Sequence, residues 1–250
     1  MSTPPADKPK KNDRRAVLDA MKAETKSADR RRNFLIVGVC GLIALAIVVA
    51  AAYGPLKSRS ELRKWDDVAL ADIGAPASVC GEITTKPATG NQEHVDEGTA
   101  LMITDSPPAF GAHYPVWEGM ERKIYTASDR PPLGRLMHNL EHGYTILWYD
   151  ETTAKNDAQM QILQGIARKQ TGTKDLRLKF KAAPWLSSDG APFPKGQHVA
   201  MTHWSVGGVG EGATGQQVGA FQYCSEVSGE ALVSFMEKYP YFDSPEPDAV

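Results

Sequence analysis

Two histidines four residues apart, His138 and His142, are the pair in this sequence best spaced for chemistry. In a helix, side chains at positions i and i+4 lie on one face about a turn apart, so both imidazoles can reach a single ion. Gly143 follows at once, and glycine is the residue type that most often ends a helix. The alternating stretch 144–149 behind it is typical of a strand. The spacing therefore predicts a helical turn that carries two imidazoles directly before a buried strand.

A third histidine, His113, follows the turn sequence Pro-Pro-x-x-Gly of residues 107–111, which could bring it to the same place. A cluster of three imidazoles suits zinc or copper, and Glu141 or Met137 would be within reach of a fourth ligand position. Met137 would favour copper, because a thioether is a soft ligand. The predicted metal ligands are His113, His138 and His142, with Glu141 or Met137 beside them.

The same residues fit two other interpretations. In one, each imidazole hydrogen-bonds a backbone carbonyl and stabilises the turn before the strand, so that no ion is needed. In the other, residues 138–142 form the His-x-x-Glu-His motif of the inverted zinc peptidases, with Glu141 as general base. That mechanism needs a helix that continues past the second histidine, and Gly143 argues against such a helix. The sequence leaves open whether the protein is an enzyme, and it favours a non-enzymatic role.

The surrounding elements mix strands and helices in one unit, which predicts an α+β domain. A small mixed or antiparallel sheet with flanking helices on one side and long proline-rich loops is expected. Besides the strand at 144–149, the patterns predict a short strand at 100–104 and strands near 176–182 and 198–206. Helices are expected at 156–169, 216–227 and 229–239.

Residues 34–53 (FLIVGVCGLIALAIVVAAAY) run for twenty positions without a charge. A helix of this length spans about 30 Å, the thickness of a bilayer's hydrocarbon core. A buried core helix is rarely apolar on every face over such a length. A cleaved signal peptide has a short basic region and an apolar stretch of roughly 7–15 residues. Because more than thirty residues precede this longer run, we predict an uncleaved single transmembrane helix.

The charge of the chain is uneven, although its net value is only −2. Ten basic residues lie between Lys8 and Arg32 against four acidic ones, and three arginines directly precede the apolar run. The positive-inside rule then places the N-terminus in the cytoplasm. Topology and anionic lipid explain the basic residues, so no nucleic-acid partner is predicted. The expected organisation is a basic, partly helical cytoplasmic arm (1–33), a transmembrane helix (34–53), a linker (54–72) and one extracytoplasmic domain (73–250).

Cysteine usage agrees with that orientation. Cys40 lies within the apolar run, whereas Cys80 and Cys224 are the two cysteines of the outer part. An even pair in an oxidising compartment predicts one disulfide, and the alternative is two unpaired buried thiols. Such a bond would close a long loop and would contribute roughly 4–5 kcal/mol in the chain-entropy treatment.

Several short motifs within residues 75–245 match those of a known family: His94-Val95, Pro107-Pro108, Gly111, His113, Tyr125, the segment His138–Gly143 and Trp148-Tyr149-Asp150. The chain resembles a membrane-anchored family common in actinobacteria, the domain of unknown function 3105. Two departures are Phe110, where a small residue is expected, and the cysteine pair, which belongs to only part of the family. The resemblance implies the same topology and domain limits and no particular activity.

Three functions follow from these observations. The first is a membrane-anchored extracytoplasmic module that binds zinc or copper through its histidines, and the second is a metal-dependent hydrolase with Glu141 as base. The third is a metal-free domain that binds a partner within a membrane complex. The expected partners are the membrane itself and a membrane protein.

Overall fold

The computed structural model describes residues 11–88, 92–208, 210 and 213–249, so the first ten residues of the predicted basic arm lie outside the described residues. The chain divides into two compact units, residues 1–60 and residues 61–250. Within the described residues, the first unit is a single long helix and the second is an α+β domain.

Helix α1, Lys11–Leu62, contains the apolar run. Within it, Arg15–Gly54 is long and apolar enough to cross a membrane by length and composition, and the most apolar stretch reaches a mean hydropathy of 3.0. Its large apolar side chains, such as Leu42 and Ile47, are exposed rather than packed in a protein core. Exposed leucine and isoleucine on all sides of a helix are stable in lipid and costly in water. The long apolar N-terminal helix expected from the sequence is therefore present.

The second unit is an α+β domain, as predicted. Capping side chains start several of its helices; for example, Asn156 accepts hydrogen bonds from the Ala158 and Gln159 amides, and Ser228 accepts one from the Ala231 amide. Its helices and strands within the described residues are β1 Thr84–Pro87, α2 Leu133–Glu141, β2 Thr145–Tyr149, α3 Glu151–Ala154, α4 Asp157–Lys169, β3 Phe180–Pro184, β4 Val199–Ser205, β5 Val218–Cys224 and α5 Gly229–Lys238.

The strands form one mixed, five-stranded sheet in the order β1-β5-β4-β2-β3. Strands β2 and β3 are parallel, and the other neighbouring pairs are antiparallel. A parallel pair needs a long crossover connection, which α3 and α4 supply between β2 and β3. The register pairs Leu147 with Met201 and Thr202 with Phe221. The predicted mixed sheet with flanking helices is thus confirmed.

The two faces of the sheet pack against different helices. Leu147 and Met201 point into a core completed by α4 and α5. Trp148 and Trp204 point the other way, into a second core with Leu140 of α2. Alternate residues of a strand face opposite sides, so both cores are filled by the same strands. The expectation of helices on one side only is wrong, because α2, which carries the histidine pair, covers the opposite face from α4 and α5.

Two other local expectations differ from the structure. Residues 216–227 were expected to be helical, but Val218–Cys224 is strand β5, hydrogen-bonded to β4 on one side and β1 on the other. Short apolar runs do not distinguish strand from helix by periodicity, and here the two neighbouring strands decide. Residues 100–104 have no regular structure, although a strand was expected there.

Cys80 and Cys224 form a disulfide in the structure, and Cys40 is free. The two cysteines also face each other across an isolated antiparallel bridge, which joins the segment before β1 to the end of β5. The bond therefore ties the beginning of the domain to a strand near its end, 144 residues later.

Candidate metal site

Helix α2 ends where the sequence predicts. Glu141 is its last residue, and His142 and Gly143 follow before β2. Gly143 has φ +81°, and a Cβ atom there would lie 2.0 Å from the Tyr241 carbonyl oxygen. Only glycine fits this conformation and this close approach. The chain can therefore turn sharply, which leaves His138, Glu141 and His142 at the end of the helix.

Two loop segments bring further histidines to this helix end. His113 follows Gly111 and forms an isolated parallel bridge with His94. The Val95 amide donates to the His113 carbonyl, and the His113 amide donates to the Glu93 carbonyl. This backbone pairing places the rings of His94 and His113 with centroids 4.7 Å apart. The position of His94 thus depends on contacts between loops and not on any local periodicity.

Four side chains converge at this point: His94, His113, His138 and Glu141, whose potential ligand atoms all lie within 4.8 Å of one another. From Glu141 Oε2, the distances are 2.9 Å to His113 Nε2, 3.9 Å to His94 Nε2 and 4.0 Å to His138 Nε2. Ligand atoms around one tetrahedral zinc ion at roughly 2.0–2.1 Å lie about 3.4 Å apart. The observed distances bracket that value, so small side-chain movements would enclose an ion.

Backbone carbonyls orient the two buried imidazoles. The Nδ1 atom of His113 lies 2.8 Å from the Gly111 carbonyl, and the Nδ1 atom of His138 lies 2.6 Å from the Tyr114 carbonyl. A carbonyl only accepts, so each Nδ1 carries the proton and donates it. Both Nε2 atoms then face the cluster. Metal-binding histidines in proteins have this arrangement, in which the second ring nitrogen is held by a carbonyl or carboxylate.

Glu141 is the carboxylate at the centre of the cluster, and its side chain is fully buried. Burial by itself raises the pKa of this carboxyl, but the hydrogen bond from His113 and the positive charge available on His113 and His138 outweigh it and lower the pKa. The same burial lowers the pKa of His138, and it lowers the pKa of His142 to about 3. The lowered pKa values favour an ionised Glu141 beside neutral His138 and His142, and divalent transition metals require ligands in these protonation states.

His142 lies beside this cluster, with its Nε2 atom 2.9 Å from the Nε2 atom of His138. The same Nε2 atom of His142 lies 3.3 Å from Glu246 Oε2. Glu141, His142 and Glu246 form a second group whose potential ligand atoms lie within 4.8 Å of one another. Glu141 belongs to both groups.

Aromatic and amide side chains surround the cluster. The Trp117 ring contacts His138 and His142, with centroid distances of 5.1 and 4.6 Å. Asn139 fixes the loop that carries Trp117, because its side chain donates to the Glu118 carbonyl and accepts from the Glu118 amide. The cluster is therefore partly screened from water, while the His94 side chain, 42% exposed, leaves an entry for an ion.

The structure brings together three of the residues named from sequence, His113, His138 and Glu141, and places His142 next to them. Met137 is buried, and its Cε atom packs against Gly111. His94 was not predicted as a ligand. Its only sequence signal was the His94-Val95 pair among the family motifs.

The two remaining histidines lie elsewhere in the domain. His198 Nδ1 is 2.8 Å from an Asp150 carboxylate oxygen, and His203 Nε2 donates to the Asp243 carbonyl at 2.9 Å. Both histidines make hydrogen bonds outside the cluster, so they are suitable control positions for experiments on the cluster.

Comparison with known proteins gives a family and no activity. No curated protein and no solved structure matches the chain. Residues 94–250 match the model of a family described as a protein of unknown function, DUF3105. This span begins at His94 and includes the whole histidine cluster and the sheet from β2 onwards. Because the match covers more than half of the chain, the protein belongs to the DUF3105 family.

Proposed function

We propose that this protein is a membrane-anchored extracytoplasmic module that binds zinc or copper through His94, His113, His138 and Glu141. The observation that carries the proposal is the convergence of three imidazoles on one buried carboxylate oxygen, with two of the rings oriented by backbone carbonyls. Three nitrogen donors and one oxygen donor suit a four-coordinate zinc ion, and imidazole also suits copper.

Hydrogen bonding alone accounts less well for this arrangement. His113 contacts a carbonyl oxygen through Nδ1 and a carboxylate oxygen through Nε2, and both oxygens are acceptors. Without an ion, and with Glu141 ionised as its lowered pKa favours, the ring must carry two protons to make both bonds, which leaves an imidazolium–carboxylate pair fully buried. Burying such a pair costs several kcal/mol of desolvation per ion. An ion between Nε2 and Oε2 would replace the second proton and use both atoms as ligands.

The position of Glu141 bears on the alternative of a metal-dependent hydrolase. A general base must accept a proton from a water bound beside the metal. Glu141 instead lies among the imidazoles at hydrogen-bond distance from His113, in the position of a ligand. Helix α2 also ends at Glu141, whereas the peptidase motif needs a continuing helix. These features favour a binding role over hydrolysis with Glu141 as base.

The membrane location is part of the proposal. Helix α1 has the length and apolarity for one span, and the three arginines before residue 34 place its N-terminal end in the cytoplasm by the positive-inside rule. The domain at residues 73–250 is then outside the cytoplasm, where a disulfide such as Cys80–Cys224 is stable. A metal-binding domain in this location would meet ions or a membrane-protein partner at the outer surface.

Metal titration of the purified full-length chain in detergent tests the proposal. We expect the metal-free protein to bind zinc or copper tightly, and His113→Ala and His138→Ala to weaken binding by more than about 100-fold, beyond the loss typical for residues that only support a ligand. His198→Ala is the matched control, since His198 is bonded to Asp150 outside the cluster. Circular dichroism checks that each variant is folded.

Equal and weak uptake by the wild type and both cluster variants would contradict the proposal. The histidines would then stabilise the turn through their carbonyl bonds, and the domain would be assigned as a metal-free partner-binding module. Metal uptake that is lost in His198→Ala but kept in His113→Ala would show that the metal binds outside the proposed cluster.

A further inference from the structure

We propose that the site holds two metal ions and that Glu141 bridges them. This inference rests on the proposed metal binding and deepens it by adding a second ion, held by Glu141, His142 and Glu246. Because this group shares Glu141 with the four-residue cluster, ions in both groups would be neighbours. Binuclear protein sites have ions roughly 3.5–4 Å apart, and they commonly act on phosphate or peptide bonds.

The two oxygens of Glu141 are used unequally in the structure. Oε2 is at hydrogen-bond distance from His113, whereas Oε1 is buried and has no hydrogen-bond partner in the part of the chain that the structure describes. The Gln92 side chain lies close enough to lower the pKa of this carboxyl, but no well-formed hydrogen bond reaches Oε1. A buried acceptor without a partner destabilises the fold, and more so when it is charged. A bridging carboxylate would use one oxygen for each ion and remove that cost.

Glu246 is held in position by the chain around it. Its backbone amide donates to the Glu141 carbonyl at 3.0 Å. The buried ammonium group of Lys179 donates to the carbonyls of His142, Pro247 and Ala249 at 2.8, 2.6 and 2.7 Å. The C-terminal segment is thereby attached to the end of α2, with the Glu246 carboxylate directed at His142. Ligands fixed in this way lose little entropy when an ion binds.

The two ions would differ in their surroundings. The first has three imidazoles and one carboxylate, a full tetrahedral set. The second has one imidazole and two carboxylates, and the Glu246 side chain is 48% exposed. Its remaining coordination positions are therefore open to water, so the second ion should bind more weakly and exchange faster. Nitrogen and oxygen donors in this ratio suit divalent zinc, cobalt or manganese.

Ion stoichiometry and magnetic coupling in full-length protein in detergent test this inference. Metal-free wild type is titrated with zinc and with cobalt(II), and bound ions are counted by elemental analysis. We expect two ions per chain, and a cobalt electron paramagnetic resonance signal that is weakened by coupling through the shared carboxylate. In Glu246→Gln we expect one ion of unchanged affinity and a full uncoupled signal. Glu141→Gln should lose both ions, and Glu237→Gln, an exposed glutamate on α5, should behave as wild type.

Because Glu246 is half exposed, Glu246→Gln should keep the fold, and the result does not depend on the buried Glu141 variant. One ion in the wild type with no change in Glu246→Gln would overturn the second site and leave the proposed metal binding intact. Two ions without magnetic coupling would overturn the bridge. No bound ion in any protein would overturn both this inference and the proposed function.

Discussion

The position of the histidine pair depends on a single glycine. Gly143 combines a positive φ with a close approach to the Tyr241 carbonyl, so it joins α2 to β2 and also leaves room for the C-terminal segment. Any side chain at this position would strain the turn and push the C-terminal segment away from the end of α2. Because Glu246 belongs to that segment, the conformation of one residue affects the geometry of the whole cluster.

We expect Gly143→Ala to lower the free energy of unfolding by more than about 3 kcal/mol, because the strain of a positive φ adds to a backbone clash. Gly196→Ala is the matched control. Gly196 has φ +78° with open space around it, so only the backbone strain of about 1–2 kcal/mol should be lost. Denaturant unfolding of both variants measures the difference. Equal losses in the two variants would show that the contact with Tyr241 is unimportant.

Lys181 is a buried lysine on β3 whose ammonium group donates to the Gly119 and Arg122 carbonyls. Burial lowers its pKa from 10.5 to about 7. Between these values the unfolded chain keeps the proton that the folded chain has released, so the unfolded state binds more protons. The free energy of unfolding should therefore rise as the pH increases from about 7 towards 10.

Lys181→Met should remove a large part of this rise, because methionine fills a similar volume without a charge. Unfolding by denaturant at a series of pH values measures the slope for wild type and variant. Lys155→Met is the control, since the Lys155 side chain is exposed. A slope that is unchanged in Lys181→Met would contradict the assignment and would attribute the pH dependence to other groups, such as Lys123 and Lys179, whose pKa values burial lowers to about 8.

Among the strands and helices, β5 is held both by pairing with two strands and by a disulfide. It pairs with β1 and β4, and Cys224 at its end bonds to Cys80. We expect the double variant Cys80→Ser, Cys224→Ser to lose roughly 4–5 kcal/mol of unfolding free energy, because the bond closes a loop between residues 144 positions apart. Chemical denaturation under oxidising conditions measures the loss.

Thiol labelling of the denatured, unreduced full-length chain checks the bond directly. One labelled thiol per chain is expected, from the free and exposed Cys40. Cys40→Ser is the control and should show none. Three labelled thiols in material produced in an oxidising compartment would contradict the disulfide.

For the whole molecule, the central prediction is the orientation in the membrane. Arginines at positions 30–32 precede the apolar run, so we expect the N-terminus inside and the C-terminus outside. An enzyme reporter that works only after export should be active when fused to the C-terminus and inactive at the N-terminus. Replacing Arg30, Arg31 and Arg32 by glutamine should reduce this asymmetry. Activity of a cytoplasm-only reporter at the C-terminus would reverse the orientation and remove the basis for an oxidising environment.

Local sequence patterns were sufficient to predict several features of this structure. The apolar run, the α+β class and helix α4 follow from composition and periodicity, because the physical cause of each lies in residues that are neighbours along the chain. The same is true of the end of α2, where Gly143 determines the turn, and of the spacing of His138 and His142. Because these features depend on few contacts between distant residues, they can be predicted from the sequence alone.

Other features were decided by contacts between distant segments. Residues 218–224 form a strand because β1 and β4 both hydrogen-bond to them, although a helix was expected from the local pattern. Helix α2 covers the opposite face of the sheet from α4 and α5, which depends on how the strands are ordered and not on the helix itself. Secondary structure in such segments follows packing and pairing more than intrinsic preference.

Some residues of the candidate site could likewise be predicted from local sequence, whereas others are brought in by contacts between distant segments. The sequence by itself determined that His138, Glu141 and His142 share one helix end, since their spacing and Gly143 are local. Only the tertiary structure decided that His94 and Glu246 join them, because these residues lie 44 and 108 positions from His138 and no periodicity relates them. Backbone pairing between two loops brings His94 to the cluster, and Lys179 secures the segment that carries Glu246. Contacts of this kind form only when the chain is folded, which is the physical reason why the sequence alone did not reveal them.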